Sequence, residues 1–301
     1  MSQQPVSEEN MTCQPPVSVE ATSCTSVSQE PQPCEQEQNN KAPSGKNIHL
    51  TISYDGTNFC GWQRQDKAAA GKPVRTVQGE LEKALEKLAK EPVQLIGSGR
   101  TDSGVHAYGQ AANFYSPIAS MPVESYIPAL NSILPKDIRV REARLAEPDF
   151  HSRFSAISRT YRYFLYPEAT PPAHMMPYVW PLRRRPNLKI LNQMAACLQG
   201  ELDCTTFAAA GDVSPSKFRY LESAVFYPEG QQLVFEISAN AFLWKMVRSI
   251  VGSLIYYEAQ GKDATFFKEI LEKKDRSLAG PTAPPQGLFL WNVSFSGQRR
   301  H

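Results

Sequence analysis

The run His49-Leu50-Thr51-Ile52-Ser53-Tyr54 alternates polar and apolar side chains and stops at Asp55-Gly56, so it reads as a half-buried strand closed by a turn. The next segment changes period. After a Gly- and Lys-containing loop, Val77, Leu81, Leu85 and Leu88 fall on one helical face, and Thr76 stands where an N-cap belongs. Val93–Ile96 reads as a short strand entering the glycine-rich loop 97–104, and Gln110–Tyr115 is extended again. The same grammar returns further on. Tyr161–Tyr166 alternates, and Leu188, Leu191, Met194, Ala195 and Leu198 form a helical stripe. Leu221–Tyr227 and Leu233–Ser238 read as a hairpin about Glu229-Gly230. Phe242–Glu258 reads as a long apolar helix and Thr265–Lys274 as a shorter amphipathic one. Mixed strands and helices in this order predict an α+β fold, and the repeated pattern suggests a duplicated module with a cleft between its halves.

That pattern begins only near residue 46. Residues 1–45 are rich in Gln, Glu, Ser, Thr and Pro and carry six glutamates (Glu8, Glu9, Glu20, Glu30, Glu35, Glu37) against Lys41, a balance of −5. Such a segment lacks the apolar surface to offset the entropy of ordering, and reads as a disordered acidic tail. Residues 46–301 then hold 31 basic and 24 acidic groups, or +7, an excess compatible with a polyanionic partner. No stretch reaches the roughly 18 uncharged apolar residues of a membrane span, and neither a secretory signal nor a basic transit peptide is visible. A cytoplasmic location without membrane contact is the simplest expectation. The six cysteines (13, 24, 34, 60, 197, 204) contain no CxxC pair and have no histidine cluster nearby, so reduced thiols are expected, without zinc.

The densest chemistry lies in Gly99-Arg100-Thr101-Asp102-Ser103-Gly104-Val105-His106-Ala107, with a cation, an acid and an imidazole in nine residues. Part of it is ordinary turn chemistry, in which Asp102 would bond its own backbone and Gly104 would take a positive φ; His106 would be satisfied by a nearby backbone group. The loop lacks the third glycine of a dinucleotide fingerprint and no Gly-Lys-Ser/Thr comes after it, which argues against a nucleotide cofactor. Tyr161 and Tyr163 share one face of their strand. Arg153, Arg159, Arg162, Arg183–Arg185 and Lys217-Phe218-Arg219-Tyr220 interleave cations with aromatics, the combination that unpaired RNA bases and phosphates require. Arg248, on the expected helix, shares a face with Lys245 and needs a partner, because an unpaired charge in apolar surroundings is costly. Asp102 is an attractive one.

Together these segments resemble the TruA-type tRNA pseudouridine synthases. The resemblance rests on Tyr54-Asp55-Gly56-x-x-Phe59-x-Gly61-Trp62-Gln63, Thr76-Val77-Gln78, Gly99-Arg100-Thr101-Asp102-x-Gly104-Val105-His106-Ala107 and Asn131-x-x-Leu134-Pro135. It continues through Phe150-His151-x-Arg153-Phe154-Ser155-Ala156, Arg159-x-Tyr161-Arg162-Tyr163, Asn240-Ala241-Phe242-Leu243, Met246-Val247-Arg248 and Ala279-Gly280-Pro281-Thr282-Ala283-Pro284. It covers roughly residues 48–293.

The resemblance implies two similar ferredoxin-like (RRM-like) subdomains, residues 46–155 and 156–301, whose antiparallel sheets join across a basic central cleft. It implies a homodimer that converts uridines 38, 39 and 40 of the tRNA anticodon stem-loop to pseudouridine without metal, nucleotide or redox cofactor. Asp102 would be the catalytic carboxylate, Arg248 its basic partner and Tyr161 the residue packed on the target base. Arg100 and Arg64 are candidates for RNA contacts, and His106 is a further candidate on the substrate side. Two departures stand out: Leu202-Asp203-Cys204-Thr205-Thr206-Phe207 replaces the usual His-Asp-Phe run, and the acidic tail is atypical. The alternative of a non-catalytic tRNA-binding or tRNA-folding protein is discriminated by Asp102, Tyr161 and Arg248, all present here.

Overall fold

A computed structural model describes residues 45–65 and 74–298. The acidic segment apart from Gly45, with Cys13, Cys24 and Cys34, and most of the loop before Thr76 lie outside the described residues.

The first half runs β1 (Lys46–Tyr54), α1 (Val77–Ala89), β2 (Ile96–Gly97), β3 (His106–Ser116), α2 (Tyr126–Ile133) and β4 (Ile138–Leu145). The second runs β5 (Ser158–Tyr166), β6 (Trp180–Pro181), α3 (Leu188–Ala195), β7 (Gly200–Asp203), β8 (Phe218–Glu229), β9 (Gln232–Ala239), α4 (Met246–Ala259), α5 (Ala264–Glu272) and β10 (Leu288–Ser294). The strands form one sheet in the order β4-β1-β3-β10-β5-β9-β8-β7, with β2 added beside β3 and β6 beside β5. The pairing is antiparallel except at β3/β10 and β5/β6.

The repeat expected from the sequence is visible in the topology. The first half is a βαββαβ unit whose spatial order is fourth, first, third, second (β4-β1-β3-β2). In the second, β10-β5-β9-β8 reproduces that order, with β7 as an addition at the edge. The halves meet because β2 pairs only near Ala112 and Asn113, leaving the start of β3 free: His106 and Ala107 pair with Phe289 and Leu290 of β10.

Alternation decides what is buried. Ile48, Leu50 and Ile52 of β1, Tyr161, Tyr163 and Leu165 of β5, and Phe235 and Ile237 of β9 turn to the face covered by helices, and join Leu81, Leu130, Leu191 and Ile250 in one core. Phe164, Tyr166, Val179 and Val234 make a small cluster on the opposite face. The predicted N-cap is present, Thr76 Oγ1 accepting from the Gly79 amide.

Three local expectations differ. The strand expected over Val93–Ile96 is confined to Ile96–Gly97, because Glu82 and Gln78 of α1 take the backbone N–H and C=O of Leu95. The stripe ending at Leu198 runs past its helix, since Leu198 sits in a tighter turn bonded to Ala195. The long apolar helix starts at Met246, not Phe242. The Trp244 amide donates to Asp212 and Lys245 adopts φ +57°, so the chain turns before it coils, and Lys245 does not share a helix face with Arg248.

Candidate active site

The loop 99–105 leaves β2 and returns as β3, and a second loop, 56–62, carries it from below. Trp62 N–H donates to Thr101 O (3.1 Å), Gly104 N–H and the Ser103 hydroxyl both donate to Phe59 O, and Tyr54 Oη pairs with Thr101 Oγ1 at 2.7 Å. Backbone lies on backbone here. A Cβ at Gly56 would stand 2.0 Å from Val105 O, and Gly61 combines φ +89° with a Cβ position 2.6 Å from Thr101 O, so neither accepts a side chain. The glycines of Tyr54-Asp55-Gly56 and Gly61-Trp62 thus set the height of the loop that carries Asp102. Gly104 takes the expected positive φ, +75°.

Asp102 does not cap its own turn. Its Oδ2 accepts from Arg248 NH1 at 3.1 Å, and its Oδ1 accepts from the indole Nε1 of Trp244 at 3.0 Å. Arg248, in the first turn of α4, also donates through Nε to Ala283 O (2.8 Å), which fixes the guanidinium plane. The pair joins residues 146 positions apart, one from each half, with side chains 24% and 14% exposed for Asp102 and Arg248. A carboxylate held by two donors in a partly desolvated site stays aimed and has lone pairs to spare.

Tyr161 lies beside this pair on β5, its ring edge-on to Phe242 with centroids 5.0 Å apart. Burial, with the Asp102 charge second, pushes its hydroxyl pKa well up, so it stays protonated. Arg159, two residues earlier, spans three segments: NH1 donates to Asn240 O, and NH2 to Ser98 O and Arg153 O. It locks the approach to the Asp102 loop against the segment before β5 and the turn after β9.

The other candidates separate. Arg100 is exposed beside Asp102. Arg64 sits away on α1's flank, half exposed, paired with Glu82 at 2.6 Å. His106 is fully buried: its Nδ1 accepts from Gly56 N–H (2.9 Å) beside Asp55, and its ring stacks on Phe289. Burial holds its pKa below the ordinary imidazole value, despite the neighbouring Asp55 charge. The side chain offers a substrate no surface and instead ties loop 56–62 to β3. Arg162 points to the helix-free face, bonded to Glu236 and stacked on Trp291, as strand alternation requires. Arg184 and Lys217 pair with Glu258 and Asp212. A hollow of about 320 Å³ lined by Tyr108, Phe164, Tyr178, Phe289 and Trp291 lies on the sheet face opposite Tyr161. Among the described residues no group of three His, Cys, Asp or Glu is placed to hold a metal, and no helix is long and apolar enough to cross a membrane.

Sequence reasoning missed Trp244 as a contact of Asp102. No sequence signal was available, because Trp244 lies outside α4 and reaches Asp102 only through the turn at Lys245.

A family model for tRNA pseudouridine synthase matches residues 50–155 and 194–296, which include Asp102, Trp244 and Arg248 but not Arg159 or Tyr161. Among curated proteins, tRNA pseudouridine synthase A of Treponema denticola is 61% identical over 250 residues, covering 83% of this chain and 93% of that protein. The protein of the same name from Treponema pallidum is 52% identical over 236 residues (78% and 84%), and that of Brachyspira hyodysenteriae 40% over 253 residues (84% and 99%). With a family match over more than half its length and relatives of this identity, the chain belongs to the tRNA pseudouridine synthase family.

Proposed function

We propose that this chain converts uridines 38, 39 and 40 of the tRNA anticodon stem-loop to pseudouridine, with Asp102 as the nucleophile, acting as a cytoplasmic homodimer. The observation that carries the reading is the Asp102–Arg248 pair, formed across the two halves of the sheet beside Tyr161. The reaction is an isomerisation. The N1–C1′ bond of uridine breaks, uracil turns, C5 joins C1′, and the proton lost from C5 is balanced by one gained at N1. No oxidant or reductant enters.

The carboxylate of Asp102 can attack C1′ or remove a ribose proton to give a glycal, and both routes need it oriented, which the bond from Arg248 achieves. A uridine reaches it only after leaving the helix stack, and the Tyr161 ring offers an aromatic face that offsets part of the unstacking cost. Arg100 fills the vacated space or meets phosphate, and Arg64 holds backbone at the flank. His106 acts by holding Gly56 under the Asp102 loop, not by touching RNA. The subdomains are read as residues 46–155 and 156–301, following an acidic segment 1–45.

The test is to incubate an unmodified tRNA transcript with the protein and map pseudouridine by chemical labelling and primer extension. Product confined to positions 38–40 with wild type, and none with Asp102→Ala at unchanged tRNA affinity, is the expected outcome. Product elsewhere overturns the position, and turnover by Asp102→Ala overturns the nucleophile. Alanine at Arg100 or Arg64 that alters neither affinity nor rate removes that RNA contact.

A further inference from the structure

Arg248 accounts for one oxygen of Asp102. The other is held by a tryptophan that has little packing reason to be there: Trp244 is 42% exposed, so much of its apolar surface remains in water. Its placement is nevertheless built. The Trp244 amide donates to Asp212 Oδ2 at 2.7 Å and its carbonyl accepts from Ala209 N–H at 3.1 Å. Asp212 is itself fixed by Lys217 and the Ser214 amide, with a side chain only 3% exposed. The Lys245 ammonium lies 4.6 Å from the indole centroid, and Gly211 abuts the ring, where an added Cβ would stand 3.0 Å from Cζ3. The loop 209–217 therefore sets the backbone and the flank of a side chain whose only polar atom ends on Asp102.

A carboxylate held by one donor swings about Cβ–Cγ, whereas donors on both oxygens fix its plane. An indole N–H suits that task, because it donates only and takes no part in the proton traffic of the reaction. We propose that Trp244 is a positioning residue for Asp102: with Oδ2 held by Arg248, the indole N–H on Oδ1 fixes the carboxylate plane and leaves its remaining lone pairs for the reacting ribose. The inference rests on the reading of Asp102 as nucleophile. Its expected signature is on rate and not on binding, since misorientation of a reacting group lowers turnover without removing an RNA contact.

The experiment compares Trp244→Phe, Trp244→His and Gly211→Val with wild type and Asp102→Ala, using single-turnover pseudouridine formation, tRNA affinity and thermal unfolding. Trp244→Phe keeps a ring under Lys245 and deletes the donor. It should lower the single-turnover rate about tenfold, in line with the loss of one hydrogen bond to a charged group, with affinity and Tm nearly unchanged. Trp244→His, which restores a ring N–H, should recover most of the rate. Gly211→Val, which presses on the ring, should slow the reaction while leaving tRNA affinity intact. A Trp244→Phe chain at wild-type rate, with Asp102→Ala inactive, overturns the inference alone. So does a variant whose defect lies wholly in tRNA affinity, which would make Trp244 a stacking surface for RNA. A Trp244→His chain as slow as the phenylalanine one also overturns it, because the N–H would then not be what matters. Turnover surviving in Asp102→Ala overturns the reading of Asp102 and this inference with it.

Discussion

Burial acts to raise the pKa of Asp212, yet bonds from Lys217 and from the Trp244 and Ser214 amides outweigh it and hold the carboxyl down at about 2. Because the folded value lies below the unfolded one, the ionised group stabilises the fold fully above the ordinary carboxylate range, and that contribution disappears as pH falls toward 2. It amounts to about 2 kcal/mol at neutral pH. Asp212→Asn should therefore unfold at lower urea than wild type at pH 7, and the gap between the two midpoints should close as pH drops from about 4 to about 2. Arg248 gives a second prediction. Its fork reaches Asp102 Oδ2 and Ala283 O together, and a lysine ammonium keeps the charge without spanning both. Arg248→Lys should lower the single-turnover rate about tenfold with tRNA affinity retained, a loss of geometry at constant charge. The residue types explain only part of what was legible: an arginine on an apolar helix needs a partner and Asp102 is an attractive one, but the sequence alone does not make the pairing, which the family resemblance implies. Trp244 offers not even that cue, because a tryptophan near apolar residues reads as core, and only geometry shows its N–H on a carboxylate.

At the scale of the element, α4 is a helix suited to close approach on one side. Ser249, Gly252 and Ser253 are fully buried or nearly so, and the segment 279–284 lies against them. Gly280 N–H donates to Ser253 Oγ at 2.9 Å, Ala283 N–H donates to Arg248 O, and a Cβ at Gly252 would stand 1.8 Å from Pro281 O. The motif Ala279-Gly280-Pro281-Thr282-Ala283-Pro284 thus serves as the wall that holds Arg248. Gly252→Ala should cost about 3 kcal/mol, read from urea unfolding, and should also slow turnover per folded molecule, because the displaced wall carries the carbonyl that orients Arg248. The elements that the sequence announced most cleanly were those with one wet face: β1 and α1 show their period because water demands it on alternate or every third or fourth position. Those that it hid lack that contrast. β10 reads Leu288-Phe289-Leu290-Trp291, apolar on both faces because it lies mid-sheet between β3 and β5. β4 is an edge strand with exposed Arg141, Glu142 and Arg144, whose charges mask its inward Ile138 and Val140. The start of α4 was overextended because Phe242–Leu243 are apolar enough to continue a helix, while the carboxylate that captures the Trp244 amide lies 32 residues away.

The whole molecule depends on how β10 joins two copies of one topology. β3 and β5 are neighbours only through it: Leu290 faces Ala107 on one side and Tyr161 on the other, linking the strand that continues from the Asp102 loop to the strand that carries the tyrosine. A defect here should therefore act on geometry between the halves as well as on stability. Leu290 and Leu130 are both fully buried, but Leu130 lies in α2, inside the first half. Replacing either by alanine removes the same side-chain atoms from the core and should cost about 3 kcal/mol. The two variants should nevertheless differ in rate. Measured at a temperature where unfolding curves show both to be fully folded, Leu130→Ala should keep the wild-type single-turnover rate within about twofold, whereas Leu290→Ala should fall several-fold below it. Equal rates would mean that the sheet transmits nothing across β10, and that the Asp102–Arg248 distance is set by loop 99–105 and the wall at 279–284 alone. A selective loss would place the joint between the repeats among the determinants of catalysis, because a site assembled from two halves is only as well ordered as the strand between them.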